Sequence, residues 1–306
     1  MKWERQGLVF RPADHGGWLG THAQLPVALP LDDGRHRVYF ASRDERQRSR
    51  VGWVELDLAQ PQGEQVVSPE PVLEPGPLGH FDDHGVYPAS LVAAGDDVYL
   101  YTIGWNPAAR APLFYASIGL AVSTDGGRTF EKHGRAPIMA RGEHDPCLVT
   151  APCVLRDDGR WRMWYVSGLR WVEEADGLHS YYHVKYAESD DGISWRREGR
   201  VCVDLEPGER NIARPCVVRD GDRLRMWFSY DRGEGYRLGY AESDDGLVWE
   251  RRDVAVALVG AGGGFDSDAQ CYPWMATAAG RRVLLYNGNG FGRDGFGAAV
   301  AAAEDT

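Results

Sequence analysis

The chain has 306 residues, 43% hydrophobic and 26% charged, with a formal net charge of −11. This is enough apolar material for a large core, and the negative sign argues against nucleic acid or an anionic membrane as the main partner. The N-terminus carries no apolar signal segment and no stretch is long enough to span a bilayer, so a soluble cytoplasmic protein is expected.

The first predicted strand, Gly7-Leu-Val-Phe-Arg11, is apolar and has no local partner. Beyond it a three-part pattern recurs about every 60 residues, the signature of a repeat architecture. The first part holds a proline: Pro26, Pro88, Pro152, Pro215 and Pro273. Proline removes a ladder hydrogen bond, so it belongs near the start of a strand or on an edge such as the one lining a channel. The second part is an alternating aromatic strand, as in Arg37-Val-Tyr-Phe-Ala-Ser42, Val98-Tyr-Leu-Tyr-Thr102, Trp161-Arg-Met-Trp-Tyr-Val-Ser167, Leu224-Arg-Met-Trp-Phe-Ser229 and Arg282-Val-Leu-Leu-Tyr-Asn287. Turn pairs such as Asp33-Gly34 and Gly221-Asp222 precede several of them.

The third part ends in Ala-x-Ser and an Asp-Gly turn. Its copies are Leu120-Ala-Val-Ser-Thr-Asp-Gly-Gly-Arg-Thr-Phe130, Tyr186-Ala-Glu-Ser-Asp-Asp-Gly-Ile-Ser-Trp195 and Tyr240-Ala-Glu-Ser-Asp-Asp-Gly-Leu-Val-Trp249. Asp191 and Asp245 therefore read as turn formers rather than catalytic groups, and the ring after each turn as a wedge between neighbouring sheets. The last unit ends with Gly295-Phe-Gly-Ala-Ala-Val-Ala-Ala302 and lacks a fourth strand, which the N-terminal segment is expected to supply. The sum is an all-β chain with almost no helix. It is read as one five-bladed β-propeller domain over residues 1–306, with four-stranded antiparallel blades and a ring closed by the N-terminal strand joining the last blade. The five cysteines form no Cys-x-x-Cys pair; Cys153 and Cys216 each follow a repeat proline and read as buried strand positions.

In such a fold the segments entering the innermost strands surround one mouth of the channel. Five residues before the prolines stand Thr21, Asp83, Cys147, Arg210 and Asp268; four before stand His22, His84, Leu148, Asn211 and Ala269; immediately before stand Leu25, Tyr87, Ala151, Arg214 and Tyr272. A regular scaffold with divergent, ionisable residues at one end is what a site grafted onto a repeat looks like. Asp83 and Asp268 occupy matching places, and Asp145 lies close by in Glu143-His144-Asp145, slightly further out like Asp82, Glu209 and Asp266. Three carboxylates near one axis are candidates to divide acid and base roles, although Asp82-Asp83-His84-Gly85 also fits an Asx turn. His22 and His84 are candidates to move or donate a proton. No metal-ligand spacing is present, and neither a metal nor a cofactor is expected. Arg43, Arg170 and Arg214, with Arg210 and Arg232, make either a basic mouth for a carboxylate or phosphate, or internal ion pairs. Tyr87, Trp105 and Tyr272 are candidates to stack on a flat substrate face.

The Ala-x-Ser-x-Asp-Gly-x-x-Trp copies, the Met163-Trp-Tyr and Met226-Trp-Phe strands and Tyr286-Asn-Gly-Asn-Gly290 resemble the five-bladed propeller superfamily of arabinanases, xylosidases, invertases, levansucrases and mannoside phosphorylases. The resemblance covers essentially the whole chain. It implies a carbohydrate-active enzyme that hydrolyses or transfers a glycosyl group, acting on a furanoside or charged sugar through carboxylates at the propeller axis. The first blade reads Gly20-Thr-His-Ala-Gln-Leu-Pro26 without the family's aspartate. Thr150-Ala-Pro152 and Ala213-Arg-Pro215 stand where Glu-x-Pro is usual, so the family triad does not carry over. Two alternatives follow: an isomerase, lyase or cyclase of small-molecule biosynthesis on the same scaffold, or a sugar-binding propeller without catalysis.

Overall fold

The computed structural model describes residues 2–256, 258 and 264–302. The chain is all-β. Strand β1 (Trp3–Phe10) comes first. Then follow β2 (Thr21–Pro30), β3 (His36–Arg43), β4 (Ser49–Leu56) and β5 (Val66–Val67). The next group is β6 (Gly85–Ala94), β7 (Asp97–Pro107), β8 (Phe114–Ser123) and β9 (Glu131–Lys132). Next come β10 (Val149–Asp157), β11 (Arg160–Glu174), β12 (Gly177–Ser189) and β13 (Val201–Val203), then β14 (Asn211–Asp220), β15 (Arg223–Asp231), β16 (Tyr236–Ser243) and β17 (Glu250–Arg251). The last are β18 (Cys271–Ala278), β19 (Arg281–Asn287) and β20 (Phe296–Ala301). Helical segments among the described residues are single turns, such as Pro12–Asp14 and Asp253–Val256.

Within each group the strands pair antiparallel in chain order. One parallel contact, Ser49 with Gly85, joins the first group to the second, and another, Tyr182 with Asn211, joins the third to the fourth. The last sheet runs β1-β20-β19-β18, so the N-terminal strand supplies its outer member, with Trp3 opposite Ala301. The core lies mainly between successive groups. Tyr39, Trp53 and Leu100 fill one junction, Tyr101, Met163 and Tyr165 the next, and Trp164, Ile212 and Phe228 a third. Trp227, Tyr240 and Leu284 fill another. Phe10, Phe40, Leu285 and Phe296 bring the last group against the first.

The repeat turn is a latch between groups. Asp125, Asp191 and Asp245 each accept two backbone N–H bonds from the turn that follows them, and Ser123, Ser189 and Ser243 hydroxyls bond both the aspartate and a turn amide. Stabilised in the charged form by these bonds, Asp125 and Asp191 are held down to about 2. The turn carbonyl then receives a ring donor from the preceding group: Tyr39 to Gly127 at 2.5 Å, Tyr101 to Gly192 at 2.8 Å and Trp164 to Gly246 at 2.8 Å. The ring after each turn packs edge-on against that same aromatic: Phe130 on Tyr39, Trp195 on Tyr101 and Trp249 on Trp164. The carboxylates of Asp191 and Asp245 are thus turn formers, and the ring is the wedge its position implied.

A second stitch runs between innermost strands. Ser90 Oγ accepts the Val154 amide at 2.9 Å, Cys153 Sγ the Val217 amide at 3.1 Å and Cys216 Sγ the Met275 amide at 3.2 Å. The two cysteines after the prolines are free, buried and structural.

Candidate functional site

Each innermost strand loses register around its proline. The shifts fall between Gln24 and Val27, Pro88 and Ser90, Thr150 and Cys153, Ala213 and Cys216, and Cys271 and Trp274. The cause is the missing proline N–H, which leaves a rung of the ladder unmade and lets the strand bulge. In four of the five the residue before the proline is driven to positive φ: Leu25 at 54°, Ala151 at 43°, Arg214 at 53° and Tyr272 at 58°. Non-glycine residues held there store about 1–3 kcal/mol each, and such strain concentrates where a side chain must be aimed.

The side chains so aimed meet in a cavity of about 580 Å³. All five residues directly before the prolines line it: Leu25, Tyr87, Ala151, Arg214 and Tyr272. Of those four positions before the prolines, His84, Leu148 and Asn211 line it as well. None of those five positions before does. The walls are aromatic. Trp105 and Phe114 rise on one side from the long β7–β8 hairpin, and Trp171 of the longer β11–β12 hairpin braces Phe114 edge-on at 5.1 Å. Opposite stand Tyr182, Tyr236 and Phe291. Tyr182 and Tyr236 join hydroxyls, and burial drives both phenols upward, so they are neutral donors at any ordinary pH. Phe291 stacks on Tyr272, has φ 59° and remains 46% exposed on the 289–292 turn.

Arg43, at the end of β3, lines the cavity and donates from Nε to Gln24 Oε1 at 3.0 Å. Arg214 is fully buried. It donates to the carbonyls of Ala89 and Pro26 and lies 5.4 Å over the Trp274 ring. Burial lowers it to about 10, which leaves it charged at neutral pH. Among the described residues one carboxylate lines the cavity, Asp231 at the end of β15, with Oδ1 accepting the amides of Gly233 and Gly235 at 2.8 and 3.2 Å.

The three carboxylates expected to do acid–base work are not brought together. Asp83 Oδ2 accepts the Gly79 amide at 2.8 Å and Oδ1 takes Asn106 Nδ2 at 2.6 Å, so it ties down the preceding loop rather than forming the Asx turn its context also allowed. Asp268 is exposed and bonds Ser267. Asp145 is buried under Tyr165, paired with Arg197 at 2.8 Å and Lys185 at 3.5 Å. Of the histidines, His84 reaches the cavity and leans on Trp105 at 5.2 Å. His22 lies behind it, buried, bonded to Thr21 Oγ1 at 2.8 Å, and depressed to about 4 by burial and then by Arg43 and Arg293. Of the expected binding residues, Arg43, Tyr87, Trp105, Arg214 and Tyr272 line the cavity, whereas Arg170 is exposed and stacks on Tyr181 at 4.2 Å on its hairpin.

Asp145 belongs to a ring of buried ion pairs. Asp82 meets Lys132 of β9 at 2.5 Å, Glu209 meets Arg251 of β17 at 2.8 Å, and Asp266 meets Arg5 of β1. Each ties the segment entering a group to that group's outermost strand, and Arg197 lies just ahead of β13 in the same way. In the first group Trp18 does this instead, its Nε1 donating to Ser68 O at 2.8 Å. Two further clusters, Glu174/Asp176/His179 and Glu206/Glu209/Asp253, have carboxylate spacing suited to a cation. Both are already neutralised by Arg210 or Arg251 and lie outside the cavity lining.

Asp231, Gln24 and Phe291 are among the lining residues that the sequence did not suggest, as are Phe114 and Tyr236. A signal existed for Asp231: Trp227-Phe-Ser-Tyr-Asp231 aligns with Tyr39-Phe-Ala-Ser-Arg43, placing it level with Arg43. Gln24 sits inside a strand and Phe291 in a glycine-rich turn, where no pattern singles them out.

This architecture is that of the propeller-type glycoside hydrolases and phosphorylases. A solved glycoside hydrolase superposes with a TM-score of 0.74 at 16% identity, covering 97% of this chain and 91% of that protein. Beta-1,2-mannobiose phosphorylase from Listeria innocua superposes at 0.75 with 12% identity, covering 100% and 98%. No family model matches the chain. The chain belongs to the same family as uncharacterized protein MT1551 of Mycobacterium tuberculosis (strain CDC 1551 / Oshkosh), 40% identical over 301 residues, which are 98% of this chain and 99% of that protein.

Proposed function

We propose that the chain is a carbohydrate-active enzyme, a single five-bladed propeller whose axial cavity holds one glycosyl unit between Trp105, Phe114, Tyr272 and Phe291. The observation that carries this reading is the convergence of all five pre-proline residues on one aromatic cavity, in a fold shared with glycoside hydrolases and a mannobiose phosphorylase. Aromatic faces suit the apolar face of a sugar ring, and the tyrosine hydroxyls, Gln24 and Asn211 suit its hydroxyl groups. Hydrolysis of a glycoside ordinarily uses two carboxylates flanking the bond. The described lining holds one, so transfer to an acceptor that is itself the nucleophile, such as phosphate attacking the anomeric carbon while Asp231 protonates the departing oxygen, fits better than hydrolysis, with His84 as a second candidate proton donor. The same single carboxylate supports a second reading, a sugar-binding propeller without turnover.

Glycosyl release and transfer should be measured on aryl glycosides, furanosides and oligosaccharides, with and without an acceptor, for wild type and Asp231→Asn. Turnover that drops by about 10²–10⁴-fold in the variant supports the enzyme reading. Ligand binding without turnover in either protein selects the binding module. Turnover unchanged in Asp231→Asn removes Asp231 from the chemistry.

A further inference from the structure

The protein carries 45 acidic against 34 basic Lys and Arg side chains, and most of its buried or half-buried arginines have a carboxylate partner. The two arginines in the cavity do not. Among the described residues no Asp or Glu pairs with Arg43 or with Arg214. Arg214 is 0% exposed, lies among the residues that line the cavity, and has a buried Nε without a hydrogen-bond partner. A buried charge without a counter-ion is costly, because the low-dielectric surroundings replace none of its hydration. Its two carbonyl partners, Ala89 O and Pro26 O, supply dipoles but no negative charge. Asp231 is the one carboxylate in the described lining, and Gly233 and Gly235 already occupy its Oδ1.

The surroundings hold both arginines in place. Arg43 is fixed by Gln24 and has His22 behind it, which is neutral at pH 7 and so does not compete for an anion. Arg214 is held by the strained bulge before Pro215, at φ 53°, where a smaller or uncharged residue would have met the same scaffold requirement, as Ala151 does in the group before it. Placing the most expensive side chain to desolvate at that point makes sense if something negative arrives to meet it.

From this we infer that the cavity holds an oxyanion subsite: Arg214 at its floor and Arg43 at its side receive a carboxylate or phosphate group carried by the substrate, with the aromatic walls around the rest of the molecule. This rests on the proposed carbohydrate function for the identity of the remaining part, and not for the anion. The chemistry is that of an oxyanion with two or three equivalent oxygens, which a guanidinium matches by paired N–H donors. A hexuronate, a sugar phosphate and free phosphate all offer it.

The test is calorimetric titration of the full-length protein at matched, low ionic strength with glucuronate, glucose 1-phosphate, inorganic phosphate and glucose. Wild type, Arg43→Gln and Arg214→Lys are compared, and unliganded thermal scans establish that each variant is folded. The expected result is that at least one oxyanion binds wild type about tenfold or more tightly than glucose, and that Arg43→Gln weakens it by about tenfold or more while glucose is unaffected. Arg43→Gln decides the matter even if Arg214→Lys fails to fold. Binding of glucuronate or glucose 1-phosphate above phosphate identifies a charged sugar. Binding of phosphate alone keeps the subsite and counts against a sugar acid. Glucose bound as tightly as the charged ligands, or oxyanion affinity unchanged in Arg43→Gln, overturns the subsite and leaves the carbohydrate reading standing. Failure of every oxyanion to bind wild type also overturns it.

Discussion

Charged residues sit at two levels of the segments that enter the innermost strands: six or seven positions before the proline in four of the five, and directly before it in one. The outer set, Asp82, Asp145, Glu209 and Asp266, is acidic, buried and neutralised by a cation on or beside the outermost strand of its own group. The inner set is Arg214 alone, also buried, with no carboxylate partner among the described residues. Both are ionisable and hidden from water, yet one completes its electrostatics within the chain and the other does not. The difference lies in direction. Before the bulge a side chain points back into the sheet, where a strand of the same group can supply its counter-charge. At the bulge the backbone turns it toward the axis, where no strand remains to pair with it. Burial and charge alone do not mark a site; an incomplete set of partners at a converging position does.

The contrast can be broken most sharply on the outer side. Glu209→Ala removes the buried carboxylate that both Nη atoms of Arg251 bond, leaving Asp253 and the half-exposed Glu206 beside the guanidinium, and should cost about 3 kcal/mol in chemical denaturation without changing ligand affinity. A loss under about 1 kcal/mol would mean that the outer pairs are not the structural set. Next in size is a pH effect from His22, at the boundary between the two sets. Its folded value is depressed to about 4 against an ordinary 6.5, so its contribution to stability is present above pH 6.5 and is lost as pH falls from there toward 4. Denaturation midpoints of wild type should fall over this window by an amount equivalent to about 1–3 kcal/mol. His22→Asn should flatten part of that slope; an unaltered slope would place the titration elsewhere, for instance at His36 or His183, which burial also depresses. The smallest effect belongs to Asp83→Asn. Loss of one loop bond should cost about 1 kcal/mol, with ligand binding and turnover within about twofold of wild type. A large loss of turnover would return Asp83 to the chemistry and undo the distinction between the sets.

Much of this was written in the sequence as periodicity. The Ser-x-Asp-Gly turns, the aromatic middle strands and the prolines recur because every group solves the same packing problem, and repetition makes such residues readable. The identity of the cavity position was readable too, since the residue before each proline is set by the proline's missing donor. What was not readable was the direction of individual side chains. Asp83 and Asp268 stand five positions before their prolines, close in sequence to the cavity but off its lining, because each accepts a bond from a neighbouring loop residue, Gly79 and Ser267. Asp145 looked like a catalytic acid until Arg197, far along the chain, was seen to neutralise it. Arg170 follows the predicted strand Trp161–Ser167, but that strand runs on to Glu174 as one arm of a long hairpin on which Arg170 is exposed. Asp231 was hidden beside the more conspicuous Arg232 and becomes visible when the middle strands are aligned on their aromatics.

The pairing of β1 with β20 also bears on how the molecule reaches its native state. Trp3 lies opposite Ala301, so β1 has no partner until the distant β20 has been made. The local hairpins can form as they emerge, at little entropic cost, but closing a loop of this length is the most expensive contact the fold contains and so is expected late. Until it forms, the outer edge of β20 and the apolar face of Phe10 and Phe296 are open to other chains. The terminal seam is therefore the place where synthesis rate, chaperone capture and intermolecular strand exchange would compete with folding.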